Sequence, residues 1–270
     1  MSVNTSLYAA LRHCRNSSSD ARAARLKRKA RERIMESVAH TQLEQRVKRT
    51  KQRLCLNSGA RAENLLEGAL ACFAEARYED VTIPLVAKRL GVTHSLVYYY
   101  FKNKDVFFQS SVLHALDLMM SRYGDVMRRY DGPAELLGAY LDLSVEMSET
   151  LRSLTRIMFS NACGARGGGS EFIDGFVEDF YQFEKDSLAI CIRLGVAEKV
   201  FFCDDPDQMS AFISRNIDGI FFGSFIPQGA PIFGAMQYLK KMICELLKFD
   251  GDLNSPLYFE NHAKISKSRS

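Results

Sequence analysis

"TIPLVAKRLGVTHSLVYYYFKNKDVF", Thr82–Phe107, carries the strongest fold signal in the chain. Thr82 stands where a helix N-cap belongs. Pro84 falls in the first turn, where its missing N–H does no harm. The helical pattern runs to Gly91, which breaks it, and a second short helix is expected over about 93–100. Two short helices joined by a tight turn on a glycine have helix-turn-helix geometry, whose second helix enters the major groove of DNA. Spacing sorts the side chains. Val86 and Ala87 face inward from the first helix; Val92 lies in the turn; Val97 and Phe101, four apart, share the inner side of the second. Three consecutive tyrosines cannot all share that side. Thr93, His94, Ser95, Tyr98 and Tyr99 are therefore left outside, where short polar groups reach base edges and tyrosines meet sugar or phosphate. Lys102 and Lys104 add positive charge just past the helix.

On either side of this stretch the pattern is helical almost throughout. Ala62, Leu65, Leu66, Ala69, Leu70 and Phe73 recur at helical spacing ahead of it. Behind it, helices are expected over about 104–129, 133–149, up to Cys163, 171–194 (stopping at Gly195), 206–224 and 231–248. Asp205-Pro206-Asp207-Gln208 reads as a cap, a proline at the first helical position and a Gln two residues further in. The fold class is all-α. The division is a basic N-terminal arm over 1–56, a helix-turn-helix head over 57–107, a helical body over 108–250 and a C-terminal tail over 251–270.

The charge is uneven. Residues 21–53 hold 12 Lys/Arg against three Glu, while the whole chain is only +4, so the body is mildly acidic. A basic arm on an acidic body suits nucleic acid as partner or, equally, a solvated tail. Its apolar stripe (Leu26, Ala30, Ile34, Val38, then Leu43 and Val47) allows an arm that orders on DNA or a helix that packs on the body.

A specific resemblance enters here. "LLEGALACFAEARYEDVTIPLVAKRLGVTHSLVYYYFKNKDVF" resembles the DNA-binding head of the TetR family of transcriptional regulators, through "FAExxY", "TIxxVA" and "GVTxSxVYYYFxNK" in register over about 45 residues. The resemblance implies a two-domain, all-helical homodimer whose body takes a small-molecule effector. Position by position, it implies phosphate contacts from Thr82 and Lys104. It implies base or phosphate contacts from Thr93, His94 and Ser95, and thymine-methyl, sugar and phosphate contacts from Tyr98 and Tyr99. Tyr100 would make a further backbone contact. Two positions depart: Leu96 stands where a phosphate-binding Thr is common, and Arg77 where a glycine with positive φ is usual, at an expected cost of roughly 1 kcal/mol.

In the body, Phe172, Phe176, Phe180 and Phe183 share a helical face, which suits core or dimer packing or an apolar ligand wall. Met119, Tyr123, Met127, Tyr140, Met147, Met158 and Phe159 lie on helices that line the pocket in the family, and with Phe180 they form the candidate set for an apolar effector. Helices 171–194 and 231–248 are expected to pair with their copies.

Other classes are disfavoured. The five His form no HExxH pattern, no P-loop is present, and Asp204, Asp205 and Asp207 read better as a helix cap than as metal ligands. Seven scattered Cys form no CxxC pair, which fits reduced thiols. No apolar run of about 18 residues and no signal-type apolar segment is present, so a cytoplasmic, nucleoid-associated bacterial protein is expected, with no membrane contact, cofactor, metal or catalytic site. The function expected is ligand-responsive transcriptional regulation, a repressor rather than an activator, on a pseudo-palindromic operator in double-stranded DNA. The alternative is a sequence-tolerant, nucleoid-type protein acting through the basic arm.

Overall fold

The computed structural model describes residues 42–54, 59–130, 132–162, 170–226, 229 and 231–254. Helices account for most of them: α1 (Gln42–Arg53), α2 (Ala60–Glu75), α3 (Ile83–Arg89), α4 (His94–Tyr100), α5 (Lys104–Arg129), α6 (Pro133–Glu146), α7 (Ser148–Ala162), α8 (Ser170–Ala197), α9 (Pro206–Gly223) and α10 (Ile232–Leu246). No strand occurs among the described residues. The first 41 residues of the basic arm, including Leu26, Ala30, Ile34 and Val38, and the tail from 255 lie outside them.

The head is α2, α3, α4 and the start of α5. The apolar face of α2 is buried as its spacing requires, from Ala62 to Phe73. Thr82 caps α3, its hydroxyl accepting from the Leu85 amide at 3.3 Å. Gly91 takes φ 67°, the left-handed conformation that the turn needs and that glycine adopts without strain. Val86, Ala87, Val97 and Phe101 are buried and Val92 packs on them half-buried, as their spacing predicts. Phe101 stacks on Phe107 at 4.6 Å, and Phe107 meets Phe73 edge-on at 6.2 Å. The expected strain at Arg77 is corrected. After α2, Ala76 (φ −131°) and Arg77 (φ −64°) are both extended, so no left-handed residue is present and no cost arises. Arg77 instead pairs with Asp80 at 2.8 Å.

In the body, α8 is the central helix. It packs against α9, α6, α7 and α1. One expectation about α8 changes. Gly195 does not end it. The helix runs to Ala197, and a Cβ on Gly195 would lie 1.9 Å from the Phe201 ring, so the glycine is there for close packing. The stop comes later, at Lys199 (φ 57°), with Val200 N–H donating to Gly195 O at 2.8 Å and Lys199 N–H to Val196 O at 3.1 Å. Of its Phe stripe, Phe176, Phe180 and Phe183 are core and Phe172 is half-buried, which favours the core reading of that face. Among the described residues, α9 exposes Phe222 and α10 exposes Tyr238 and Leu246, while α5 and α7 expose Leu118 and Phe159.

The C-terminal part of the basic arm is helical over Gln42–Arg53, and it packs on α5 and α8. Val47 is buried in the body core.

One buried ion pair joins α6 to α10. Lys240 Nζ lies 2.6 Å from Asp142 Oδ1 and also donates to Leu253 O at 2.8 Å, with both side chains almost fully enclosed. Burial pulls the lysine pKa down and the aspartate pushes it back up. Lys240→Met leaves a buried carboxylate without its cation. It should lower stability in urea unfolding by about 3–5 kcal/mol, and the double change Lys240→Met/Asp142→Leu should regain most of that.

Candidate nucleic-acid interface

Helix α4, the second of the helix-turn-helix pair, has only seven residues, and its cap sets where its outward groups stand. Thr93 is the cap, accepting from the Leu96 amide at 3.3 Å, so its hydroxyl proton remains able to donate outward. Val92 N–H donates to Ala87 O at 3.0 Å and fixes the angle between α3 and α4. His94 and Ser95 are exposed in the first turn. Tyr98 is 51% exposed and Tyr99 is 74% exposed, large rings held in solvent on a helix anchored from its other side. An exposed aromatic pair of this kind is placed to meet a partner.

Tyr100 and Lys104 stand differently from Tyr98 and Tyr99. Tyr100 is half-buried; Tyr99 leans on its ring edge-on at 5.0 Å, and Phe101 lies behind it at 6.1 Å. It supports Tyr99 from below. Lys104 Nζ donates to Tyr78 O at 2.9 Å and sits 4.2 Å above the Tyr78 ring, which leaves two N–H bonds for an outside anion. Lys102 is exposed. Asn103, which sequence reasoning passed over, caps α5 by accepting from Val106 N–H at 2.9 Å. Leu85 on α3 was also passed over; it is exposed beside Thr82. Its signal was the outward phase of α3, set by buried Val86.

Three nearby carboxylates have partners, while Glu79 is exposed. Asp80 pairs with Arg77 and Glu75 with Arg89, and Tyr78 hydrogen-bonds Asp105. The Arg89 hydrogen bond holds Glu75 below its usual range. Cations and hydroxyls therefore dominate the outward surface of α3 and α4.

In the body, Met119, Tyr123, Met127, Tyr140, Met147 and Phe180 are brought together in the core, and Met158 is half-buried. Tyr123 and Tyr140 lie ring to ring at 4.4 Å, the Tyr123 hydroxyl is 2.9 Å from Ser144 Oγ, and Phe183 meets Tyr123 edge-on at 6.4 Å. Phe159 departs from this set. It is on the surface, 37% exposed, against Phe222 at 5.0 Å, because its turn of α7 faces away from α8.

Sequence reasoning missed the polar centre of this core. Glu184 is 4% exposed and accepts from the Ser214 hydroxyl; one turn along α9, Asp218 accepts from Tyr181 OH at 2.7 Å. Its signal was weak, since a glutamate on a long helix normally marks the solvent face. Burial, then the Asp218 charge, pushes the Glu184 carboxyl up to about 8 despite the Ser214 bond. The folded protein thus keeps a proton that the unfolded chain loses near pH 4.5. Stability should fall as pH rises between those values, by at most ~1.4 kcal/mol per pH unit. Glu184→Gln should flatten that slope in urea titrations taken at intervals across the range.

Among the described residues, no group of three or more His, Cys, Asp or Glu is placed to hold a metal ion, and no helix is long and apolar enough to cross a membrane. Asp205 caps α9, accepting from Asp207 N–H at 3.1 Å and Gln208 N–H at 2.9 Å.

Comparison with known proteins matches residues 65–110 to the family model described as bacterial regulatory proteins, tetR family. No curated protein matches the chain. Among solved structures, the ketosteroid transcriptional regulator KstR2 of Mycobacterium tuberculosis superposes with a TM-score of 0.52 at 22% identity, over 71% of this chain and 95% of that one. AibR in complex with isovaleryl coenzyme A and operator DNA gives 0.51 at 18%, over 69% and 98%. The TetR family transcriptional regulator PfmR from Thermus thermophilus gives 0.52 at 17%, over 69% and 98%. The head over residues 65–110 thus matches the tetR family model, and the all-helical chain shares the fold of these solved regulators.

Proposed function

We propose that this protein is a DNA-binding transcriptional regulator that acts as a homodimer, represses, and is released by a small-molecule effector. The observation that carries the reading is the recognition helix. Val97 and Phe101 are buried while Tyr98 and Tyr99 stand in solvent, with Thr93, His94 and Ser95 ahead of them and Lys102 and Lys104 behind. Thr82, Thr93, His94, Ser95, Tyr98, Tyr99, Tyr100, Lys102 and Lys104 form the proposed contact surface. The complex of AibR with operator DNA and isovaleryl coenzyme A supports both halves of the reading. The effector would lie in the body among Met119, Tyr123, Met127, Tyr140, Met147, Met158 and Phe180, and bind the two head spacings with different affinity.

The dimer would form through α9 and α10. Gly219 and Gly223 on α9 and Gly234 on α10 would each have open space around an added Cβ, and Phe222 and Tyr238 are exposed on the same two helices. Small and aromatic groups there allow two copies to approach closely. The two heads would then fall about 34–36 Å apart, one turn of DNA. Gly223→Arg fills space that is open in the single chain. It should leave thermal stability nearly unchanged while shifting light-scattering mass from dimer to monomer and weakening DNA binding.

A selection from a random duplex pool, followed by gel shifts against specific and scrambled competitors, tests the function. A specific operator is expected; equal competition by scrambled DNA would favour the nucleoid-type alternative, which the basic segment supports. On the selected duplex, Tyr99→Ala should weaken binding about tenfold, roughly 1.4 kcal/mol, with circular dichroism unchanged. Unfolding of the head would show that the ring belongs to the core. A chain lacking residues 1–41 keeps α1 but loses nine Lys/Arg, and its log affinity should fall less steeply with log salt while sequence preference stays. An unchanged slope would exclude phosphate contacts from that segment.

A further inference from the structure

The helix that precedes the head is held by the body. Val47 enters the core at 1% exposure, at the level where α1 touches both α5 and α8. On one side, Arg46 Nε lies 2.7 Å from Asp179 Oδ2, and its guanidinium is 5.7 Å above the Phe176 ring, both on α8. Gly175 allows that approach, because a Cβ there would come within 2.2 Å of the guanidinium. On the other side, Lys51 pairs with Asp117 of α5. Helices α5 and α8 reach one another through side chains, with Tyr123 against Phe183 at 6.4 Å and Cys191 Sγ 4.0 Å from Met127 Sδ. The backbone of α1 lies close to both. It bridges the seam between them.

Helix α5 carries residues into both cores: Phe107 packs in the head and Tyr123 in the body. Any change in how the head sits on the body therefore moves α5 against α8. A helix pinned to both resists that movement and covers the aromatic interior beneath.

We propose that α1 is a clasp built into this chain: docked, it locks α5 to α8 and closes the Phe176 side of the body; released, it frees α5 and opens that interior to an apolar ligand. The clasp is held by one apolar wedge and two ion pairs. Lys51 and Asp117 are about a third and a half exposed; Arg46 is about half exposed, but its partner Asp179 is buried. The exposed Lys51–Asp117 pair is weakened by salt and contributes little, whereas the Arg46–Asp179 pair is screened less and the packing of α8 in the core is indifferent to salt. The clasp should therefore open locally, well before the body unfolds.

Amide hydrogen exchange of the full-length protein tests this, with 8-anilinonaphthalene-1-sulfonate as an apolar probe. In the unmodified protein, α1 amides should exchange faster as salt rises from about 0.05 M to about 0.5 M, with α8 and α10 unchanged. Lys51→Ala should speed α1 exchange up to about fivefold at low salt with the thermal midpoint little shifted; Arg46→Ala, which strands the buried Asp179, should speed it further and lower the midpoint, and the two together should raise dye fluorescence severalfold. Overturning the idea would take α1 amides that exchange only with global unfolding, in step with α8, in both the unmodified and substituted proteins. Because the salt series uses the unmodified chain, it remains decisive if Arg46→Ala fails to fold. No DNA is involved, so the failure of the DNA-binding reading and the failure of the clasp are separate results.

Discussion

A helix of seven residues does not hold itself together in water, because nucleating a turn costs more than so few hydrogen bonds return. Everything the head can do depends on how α4 is held. Two side chains hold it: Val97 and Phe101 are buried against α3 and the start of α5. Two features fix its entry, the Thr93 hydroxyl on Leu96 N–H and the left-handed Gly91 in the turn before it. Once the inner side is committed, the outer side follows from helical phase, and Tyr98 and Tyr99 have nowhere to go but solvent. Their exposure is a consequence of the anchor.

Helix α5 extends the same constraint into the body. It runs from just past the anchor of α4, through the Phe107 aromatic cluster, to the Tyr123–Tyr140 pair. The body also encloses groups that an apolar core would normally exclude: Glu184 with Ser214 and Lys240 with Asp142 are buried, and Asp218 with Tyr181 is half-buried. Each is stabilised by a partner on a different helix, so each ties two helices in one relative position. A body built this way has discrete packings rather than a soft interior, which is what a change at an effector site needs if it is to move a head.

The head was legible in the sequence because its determinants are local. A cap, a proline, a glycine and an i, i+4 apolar pair act within a few residues of one another. Positions 82–107 therefore folded as their order predicts. Arg77 shows the limit even there. A rule about the residue that usually ends the first helix does not apply when Ala76 leaves in an extended conformation and Arg77 finds Asp80. Helix periods in the body were equally legible, but partners were not. The Phe stripe of α8 fits a ligand wall, a dimer face or a core with the same spacing. Only the arrangement of α1, α6, α7 and α9 around α8 makes it core.

Periodicity and short-range capping are enough to settle the all-helical class, the helix-turn-helix head and the outward set on α4. They do not settle that the basic helix before the head packs on the body, that Glu184 is buried or that Phe159 is not. The exposure of Phe222 on α9 and of Tyr238 on α10 is equally invisible to them. Those outcomes depend on which helix lies across which. They are fixed by contacts between residues tens of positions apart, and no local pattern carries that information.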